Sequence, residues 1–241
     1  VSGWYAPAMN IHRSAFAGRN FEYYSEDGVL SGAMAANAIM GSQEQGVYAF
    51  MKHFALNDQE TNRCGMLCTW SSEQAIREIY MRAFEGSLAE GDSLGVMTAY
   101  NRVGITQDNA HTGLMKNILR NEWGCDGMVI TDNVLTQYVN GPDGVLAGVS
   151  IYDAMMSFVT DTLPKYKNDP VIVTAMREAC HHNLYAIANS CGMNGVGADT
   201  TIKVTRPTVV TMSIIIACAS TFFCLLGIVM WIIGGIKFRK T

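Results

Sequence analysis

Charge is scarce in this chain, and positive charge is scarcer still over most of its length. Only 16% of the 241 residues are charged, and residues 1–198 carry 12 Lys+Arg against 20 Asp+Glu, a balance of −8. That shortage of cations disfavours a nucleic-acid-binding body, because such binding rests on neutralising phosphates. A zinc pattern is missing too: Cys64 and Cys68 lie close together, but no second Cys pair or nearby His completes the set. No metal site and no cofactor is therefore expected. The body holds an odd number of cysteines, Cys64, Cys68, Cys125, Cys180 and Cys191, which favours free thiols over a framework of disulfides; a small Cys64–Cys68 loop stays possible on spacing alone. Internal repeats and low-complexity tracts are absent, leaving a length that suits one sizeable domain. The opening "VSGWYAPAMN" has neither a charged n-region nor an apolar h-region, so it carries no export signal of its own, and a segment upstream is expected.

What the chain has in abundance is one apolar run. Val209–Ile236, "VVTMSIIIACASTFFCLLGIVMWIIGGI", contains no charged residue and exceeds the ~20 residues a helix needs to cross a bilayer core. "KFRKT" follows it, and cations clustered after a span mark the cytoplasmic side. The expectation is a single-pass anchor in the cell membrane, with residues 237–241 as a cytoplasmic basic tail and the body outside. Basic residues after the run argue against a cleaved GPI-type signal.

Within the body, strand-like and helix-like segments alternate. Strands are predicted near 5–11, 48–55, 95–101, 128–132 and 145–151. Helical spacing predicts helices over "EDGVLSGAMAANAIMGSQEQG", "SSEQAIREIYMRAFEGSLAEG", "TGLMKNILRNEWG" and "DPVIVTAMREACHHNLYAIANS", the second with Ser71 and Gln74 as a capping box and Gly91 as its stop. Alternation of this kind argues a parallel sheet covered by helices, an α/β fold. Polar or charged residues stand at the outgoing strand ends: Asn10, Lys52 with His53, Tyr100 with Asn101, and Asp132. A TIM-type (β/α)8 barrel builds its active site from such positions. Five strands do not close one, so the expectation is a partial barrel that lacks its first strands, over residues 1–195, with a linker at 196–208 and the transmembrane helix at 209–236.

Residue by residue, these positions have ordinary explanations. Asp132 reads as a solvated strand-end acid, His53 as a satisfied core histidine, Arg19 as a surface partner of Glu22, and Tyr100 as plain core. Asp58, Glu60 and Arg63 read equally well as pocket support or as a solvated loop, and His181 and His182 as residues facing solvent or a packing seam.

Several stretches, in order and spacing, change that balance. "APAMNI", "GRNFEYYSED", "KHFALNDQETNR", "VMTAYNRVG" and "ILRNEWGCDGMVITDN" strongly resemble the catalytic barrel domain of glycoside hydrolase family 3, which includes β-glucosidases and β-xylosidases; the likeness covers roughly residues 4–195. The resemblance implies that Asp132 is the nucleophile of a retaining mechanism. It also implies that Arg19, Lys52 and His53 hold the glycone hydroxyls and that Tyr100 stands beside the nucleophile. The implied substrate is a β-linked oligosaccharide or glycoside. The family's general acid/base has no matching motif here, which implies that an upstream domain supplies it. The loop "ALNDQETNR" after "KHF" disfavours the N-acetylhexosaminidase branch. Cys125 and Gly28 depart from the family pattern as packing and turn changes, whereas Asn133 stands where an aromatic often follows the nucleophile and bears on substrate preference. The alternative to a membrane-anchored β-glucosidase-like enzyme is a non-catalytic sugar-binding piece, or a truncated or decayed paralogue inactive in isolation.

Overall fold

A computed structural model describes residues 1–65, 67–134, 138–154, 160–201, 203 and 205–238. It divides into two compact units, residues 1–195 and 196–241. In the first unit the elements run β1 (Gly3–Trp4), α1 (Gly28–Glu44), β2 (Tyr48–Phe54), β3 (Cys68–Thr69), α2 (Glu73–Ala75), a π-helical turn (Ile76–Tyr80), α3 (Arg82–Gly91) and β4 (Gly95–Thr98). There follow β5 (Arg102–Val103), β6 (Thr106–Gln107), a π-helical segment (Gly113–Glu122), β7 (Met128–Ile130), α4 (Gly141–Ala147) and α5 (Pro170–Ala188). The second unit holds α6 (Thr208–Phe238).

The main sheet is parallel, in the order β1-β2-β4-β7, with pairs such as Phe50 with Gly95 and Val96 with Val129. Its residues alternate between two cores, as a period of two requires. Met51, Val96 and Val129 pack with Ile39 of α1 and Phe84 and Leu88 of α3. Phe50, Met97, Met128 and Ile130 form the opposite cluster, to which α5 contributes Ala186 and Ile187. Cover on both faces explains why these strands read as continuous apolar runs. Gly127 admits the close approach of β7 to β4, since a Cβ there would stand 2.5 Å from the Leu94 carbonyl.

The helices begin where side chains satisfy their first amides. Asp27 accepts from the N–H groups of Val29 and Leu30, and Asp169 from those of Val171 and Ile172, with Pro170 in the first turn of α5. The second predicted helix is capped by Ser72, whose side chain accepts from Ala75, one residue later than the Ser71–Gln74 box expected from the sequence. Its stop is Asp92 in the left-handed region, just past Gly91.

Two predicted strands are corrected. Over 5–11 the pairing shrinks to one bridge from Ala8 to Lys52, and strand β1 lies ahead of it at Gly3–Trp4; Pro7 between them has no N–H to donate to a ladder. Over 145–151 the apolar run instead closes helix α4, which Asn140 and Pro142 start and Gly148, at φ +114°, ends. Only Ile151 then pairs, with Ile130. A short apolar run cannot by itself tell a buried strand from a buried helix turn. The described strands form the open four-stranded sheet and a separate three-stranded one in the order β3-β5-β6.

All seven cysteines, Cys64 and Cys68 among them, are free thiols. In the second unit, Thr208–Gly234 is long and apolar enough to cross a membrane, with a mean hydropathy of 2.4. Residues 239–241 of the expected basic tail, and 202 and 204 of the expected linker, lie outside the described residues.

Candidate active site

The outgoing ends of the parallel strands converge, and buried polar side chains hold them in place. Asn10 clamps His53 from both sides, donating Nδ2–H to its carbonyl at 3.0 Å and accepting its N–H at 2.8 Å. Asp108, fully buried, accepts the N–H of Ala55 at 3.2 Å and of Ala99 at 2.8 Å, tying the end of β2 to the end of β4. Asn101 adds a bond from Nδ2 to the Ala55 carbonyl at 3.2 Å. These contacts pin the backbone on either side of Lys52–His53 and just ahead of Tyr100.

Asp132 follows β7 by two residues. Its Oδ1 accepts the N–H of Asn133 at 2.7 Å. Its Oδ2 is buried without a hydrogen-bond partner, 3.5 Å from His53 Nε2 and 3.9 Å from Arg63 Nη1. Burial raises the Asp132 carboxyl above its ordinary value, while the Asn133 N–H and the cations Arg63, Arg19 and Lys52 pull it back. Burial also drives His53 well below its ordinary value, helped by Arg19, Lys52 and Arg63. His53 is thus neutral beside Asp132, and the contact between them is a dipole against a carboxylate rather than an ion pair.

The backbone of the Asp132 loop is held by two tyrosines. Tyr138 donates to the Asp132 carbonyl at 2.8 Å, and Tyr100 donates to the carbonyl of Asn133. The two rings lie 4.8 Å apart, and the Arg63 guanidinium sits 4.3 Å over Tyr100, in cation–π range. Tyr100 therefore orients the loop, with its hydroxyl committed to backbone.

Around this centre runs a chain of alternating charges. Glu22 pairs with Arg19 and, at 3.6 Å, with Lys52; Glu60 pairs with Arg63 at 3.0 Å and Arg19 at 3.9 Å. Burial pulls the Arg19 guanidinium down, but the Glu22 hydrogen bond and the charges around it leave it raised overall. Side chains in this chain are 16–28% exposed, so they are shielded from bulk water yet open to a ligand. Among the described residues no group of three or more His, Cys, Asp or Glu is arranged to hold a metal ion.

The five residues singled out from the sequence, Asp132, Arg19, Lys52, His53 and Tyr100, thus lie around one site. Arg63 and Glu60 belong with them, though the sequence left both undecided. Their signal was the Glu60–Arg63 spacing on the loop that leaves the Lys52–His53 strand. Glu22, read only as a partner for Arg19, also reaches Lys52. Asp58 does not join the group; it is buried elsewhere, and burial lifts its carboxyl to about 6 against the pull of Arg13 and the Ile11 N–H. His182 donates through Nδ1–H to the Asp126 carbonyl, 2.9 Å away, and forms no hydrogen bond with the Asp132 group among the described residues.

Comparison with known proteins agrees with this architecture. The family profile "Glycosyl hydrolase family 3 N terminal domain" matches residues 2–146. Beta-glucosidase A of Butyrivibrio fibrisolvens is 46% identical over 129 residues, 54% of this chain and 15% of that protein. Thermostable beta-glucosidase B of Acetivibrio thermocellus is 42% identical over 147 residues, 61% of this chain and 19% of that protein. Among solved structures, beta-glucosidase 3B from Thermotoga neapolitana in complex with glucose superposes with a TM-score of 0.73 at 36% identity, covering 80% of this chain and 28% of that one. The Bifidobacterium adolescentis GH3 beta-glucosidase gives 0.75 at 29% identity, over 85% and 30%. The chain spans less than a fifth of the curated relatives it matches here. A profile matched over more than half of its residues, on an α/β sheet of the same form, shows that the chain belongs to glycosyl hydrolase family 3.

Proposed function

We propose that residues 1–195 carry the nucleophile side of a retaining β-glucosidase-like site, with Asp132 as the nucleophile. One observation carries the reading: Asp132 Oδ2 is a buried carboxylate oxygen left without a hydrogen bond, facing a neutral imidazole and a guanidinium. An unpaired buried acceptor is costly, and a site that waits for an electrophile is a reason to keep one. Oδ2 attacks the anomeric carbon, the bond to the leaving oxygen breaks, and a second carboxylic acid gives that oxygen its proton; water then releases the sugar from Asp132 with that acid acting as base. Arg19, Lys52 and His53 offer donors to the glycone hydroxyls, and the cations favour the ionised nucleophile.

The second acid is read as coming from another domain of a longer protein, in keeping with the greater length of the relatives. The parallel sheet is read as one arc of a (β/α)8 barrel, and α6 as a membrane anchor joined through residues 196–208, with the sugar site outside the cell. The β-glucosidase names of the relatives support a β-glucoside as substrate.

The test is covalent trapping. A mechanism-based fluorosugar added to the full-length protein should label Asp132, and Asp132→Ala should lower kcat by more than ~10³-fold with folding intact. A label mapped to Glu22, Glu60 or Asp58 would overturn the assignment; sugar binding without any label would favour a non-catalytic binder.

A further inference from the structure

The loop that carries Glu60 and Arg63 also builds a second recess, of about 300 Å³. Leu56, Asp58 and Gln59 line it from that loop, Arg13 from the segment before α1, and Thr69 and Trp70 from β3 and its exit. That volume stands at the lower end of the ~300–1,000 Å³ usual for small-molecule sites.

Three features of the recess point to one kind of ligand. Asp58 lines the recess although the residue is only 6% exposed, and its buried Oδ1 has no hydrogen-bond partner. Arg13 is exposed at the rim and acts on Asp58 through its charge, without a direct ion pair. Trp70 is 72% exposed, with its ring edge beside the Gly104 turn, so a large indole stands in water on the recess that Arg13 and Asp58 also line. A pyranose has an apolar C–H face suited to an aromatic ring and a belt of hydroxyls that both donate and accept. The opposite charges of Arg13 and Asp58 cancel, which favours a neutral ligand over an ionic one.

We propose that this recess binds one pyranose unit of a neutral oligosaccharide, independently of the Asp132 site. Its occupant contacts Trp70 through a ring face and Asp58 and Arg13 through hydroxyls. The sugar held here needs no bond cleaved, so the recess serves to retain or orient a chain whose other end lies elsewhere.

The test uses the full chain in detergent micelles, titrated calorimetrically with cellotriose and, separately, with glucose. Lys52→Ala, which removes a cation and its hydrogen-bond donors from the Asp132 site, should leave cellotriose binding in place. Adding Trp70→Ala or Arg13→Ala to that background should weaken it about tenfold, as the loss of a charge-assisted hydrogen bond or an aromatic contact does. Both residues are exposed, so neither change opens the core. Cellotriose affinity abolished by Lys52→Ala alone, or unchanged by both added substitutions, would overturn the proposal. The glucose arm separates the two sites: glucose binding lost with Lys52→Ala reports the Asp132 site, whereas glucose or cellotriose binding that survives Lys52→Ala and weakens with Trp70→Ala reports the recess. A chain that shows only the second behaviour refutes the reading of the Asp132 site and supports this one.

Discussion

Asp132 shows how one side chain answers to opposing forces. Burial raises its carboxyl, and the Asn133 N–H, Arg63, Arg19 and Lys52 lower it, in that order of weight. The balance leaves it above the ordinary value of about 4. The proposed nucleophile must be ionised to act, so on that proposal the acid limb of kcat/KM in the full-length protein should lie above pH ~4. Arg63→Gln removes the strongest of the three cationic contributions, and the limb should move further up; a limb that stays put would mean that another group sets it. Lys52→Ala and Arg19→Ala should be milder than Asp132→Ala, each removing charge-assisted hydrogen bonds worth roughly 1.5–3 kcal/mol in transition-state binding, read as a fall in kcat/KM. Asp58 answers to the same forces with a consequence for folding. Its carboxyl is raised to about 6 by burial, so the folded state keeps a proton that the unfolded chain releases near pH ~4. The unfolded chain therefore binds fewer protons across that interval, and the Asp58 contribution to stability falls as pH rises from ~4 to ~6, by about 3 kcal/mol in all. Asp58→Asn should remove that slope from urea-unfolding midpoints measured across the interval, leaving only the slope of the remaining acids.

At the scale of elements, the site depends on strand ends held in register by buried polar groups. Asp108 joins the backbone after β2 to the backbone after β4, through Ala55 and Ala99. The Ala99 N–H also reaches the Phe54 carbonyl at 3.1 Å, so the larger loss on removing Asp108 falls at Ala55. Asp108→Ala should destabilise the first unit by about 1–3 kcal/mol in denaturant unfolding, the cost of a buried donor left unmet. Asp108→Asn retains one acceptor oxygen and should cost less. Elements of this kind divide what was legible in the sequence from what was not. β2, β4 and β7 were legible because both of their faces are buried and their residues are apolar without interruption. The gathering of Asp132 with Lys52 and His53 was legible because all three end parallel strands. α4 was not, because "GVLAGVSIY" has the same apolar density whether it ends a helix or makes a strand, and the deciding Asn140–Pro142 start lies just outside the run. Arg63 and Glu60 were not, because they lie on a loop and acquire meaning only when it folds back over Tyr100 and Asp132.

At the scale of the molecule, the two units obey different rules of solvation. The first buries Met9, Met51, Phe54, Phe84, Val96 and Val129 completely and, apart from the buried carboxyls of Asp58 and Asp108, keeps most of its charged side chains on the surface or in the paired chain around Asp132. The second contains a helix in which Phe222, Phe223, Leu225, Trp231 and Ile233 are each more than half exposed. Leaving that much apolar surface in water is unfavourable by roughly 1.5–3 kcal/mol for each large side chain. A bilayer removes the cost for the whole length of the helix at once, because its backbone amides are already bonded within the helix. The full chain should therefore stay with membranes through an alkaline wash, and deletion of Val209–Thr241 should release residues 1–208 in soluble form. Recovery of the full chain in the wash supernatant would mean that α6 is not embedded in a bilayer, and the anchoring reading would fall. The glucose and cellotriose titrations would be unaffected by that outcome, since every residue they test lies in the first unit.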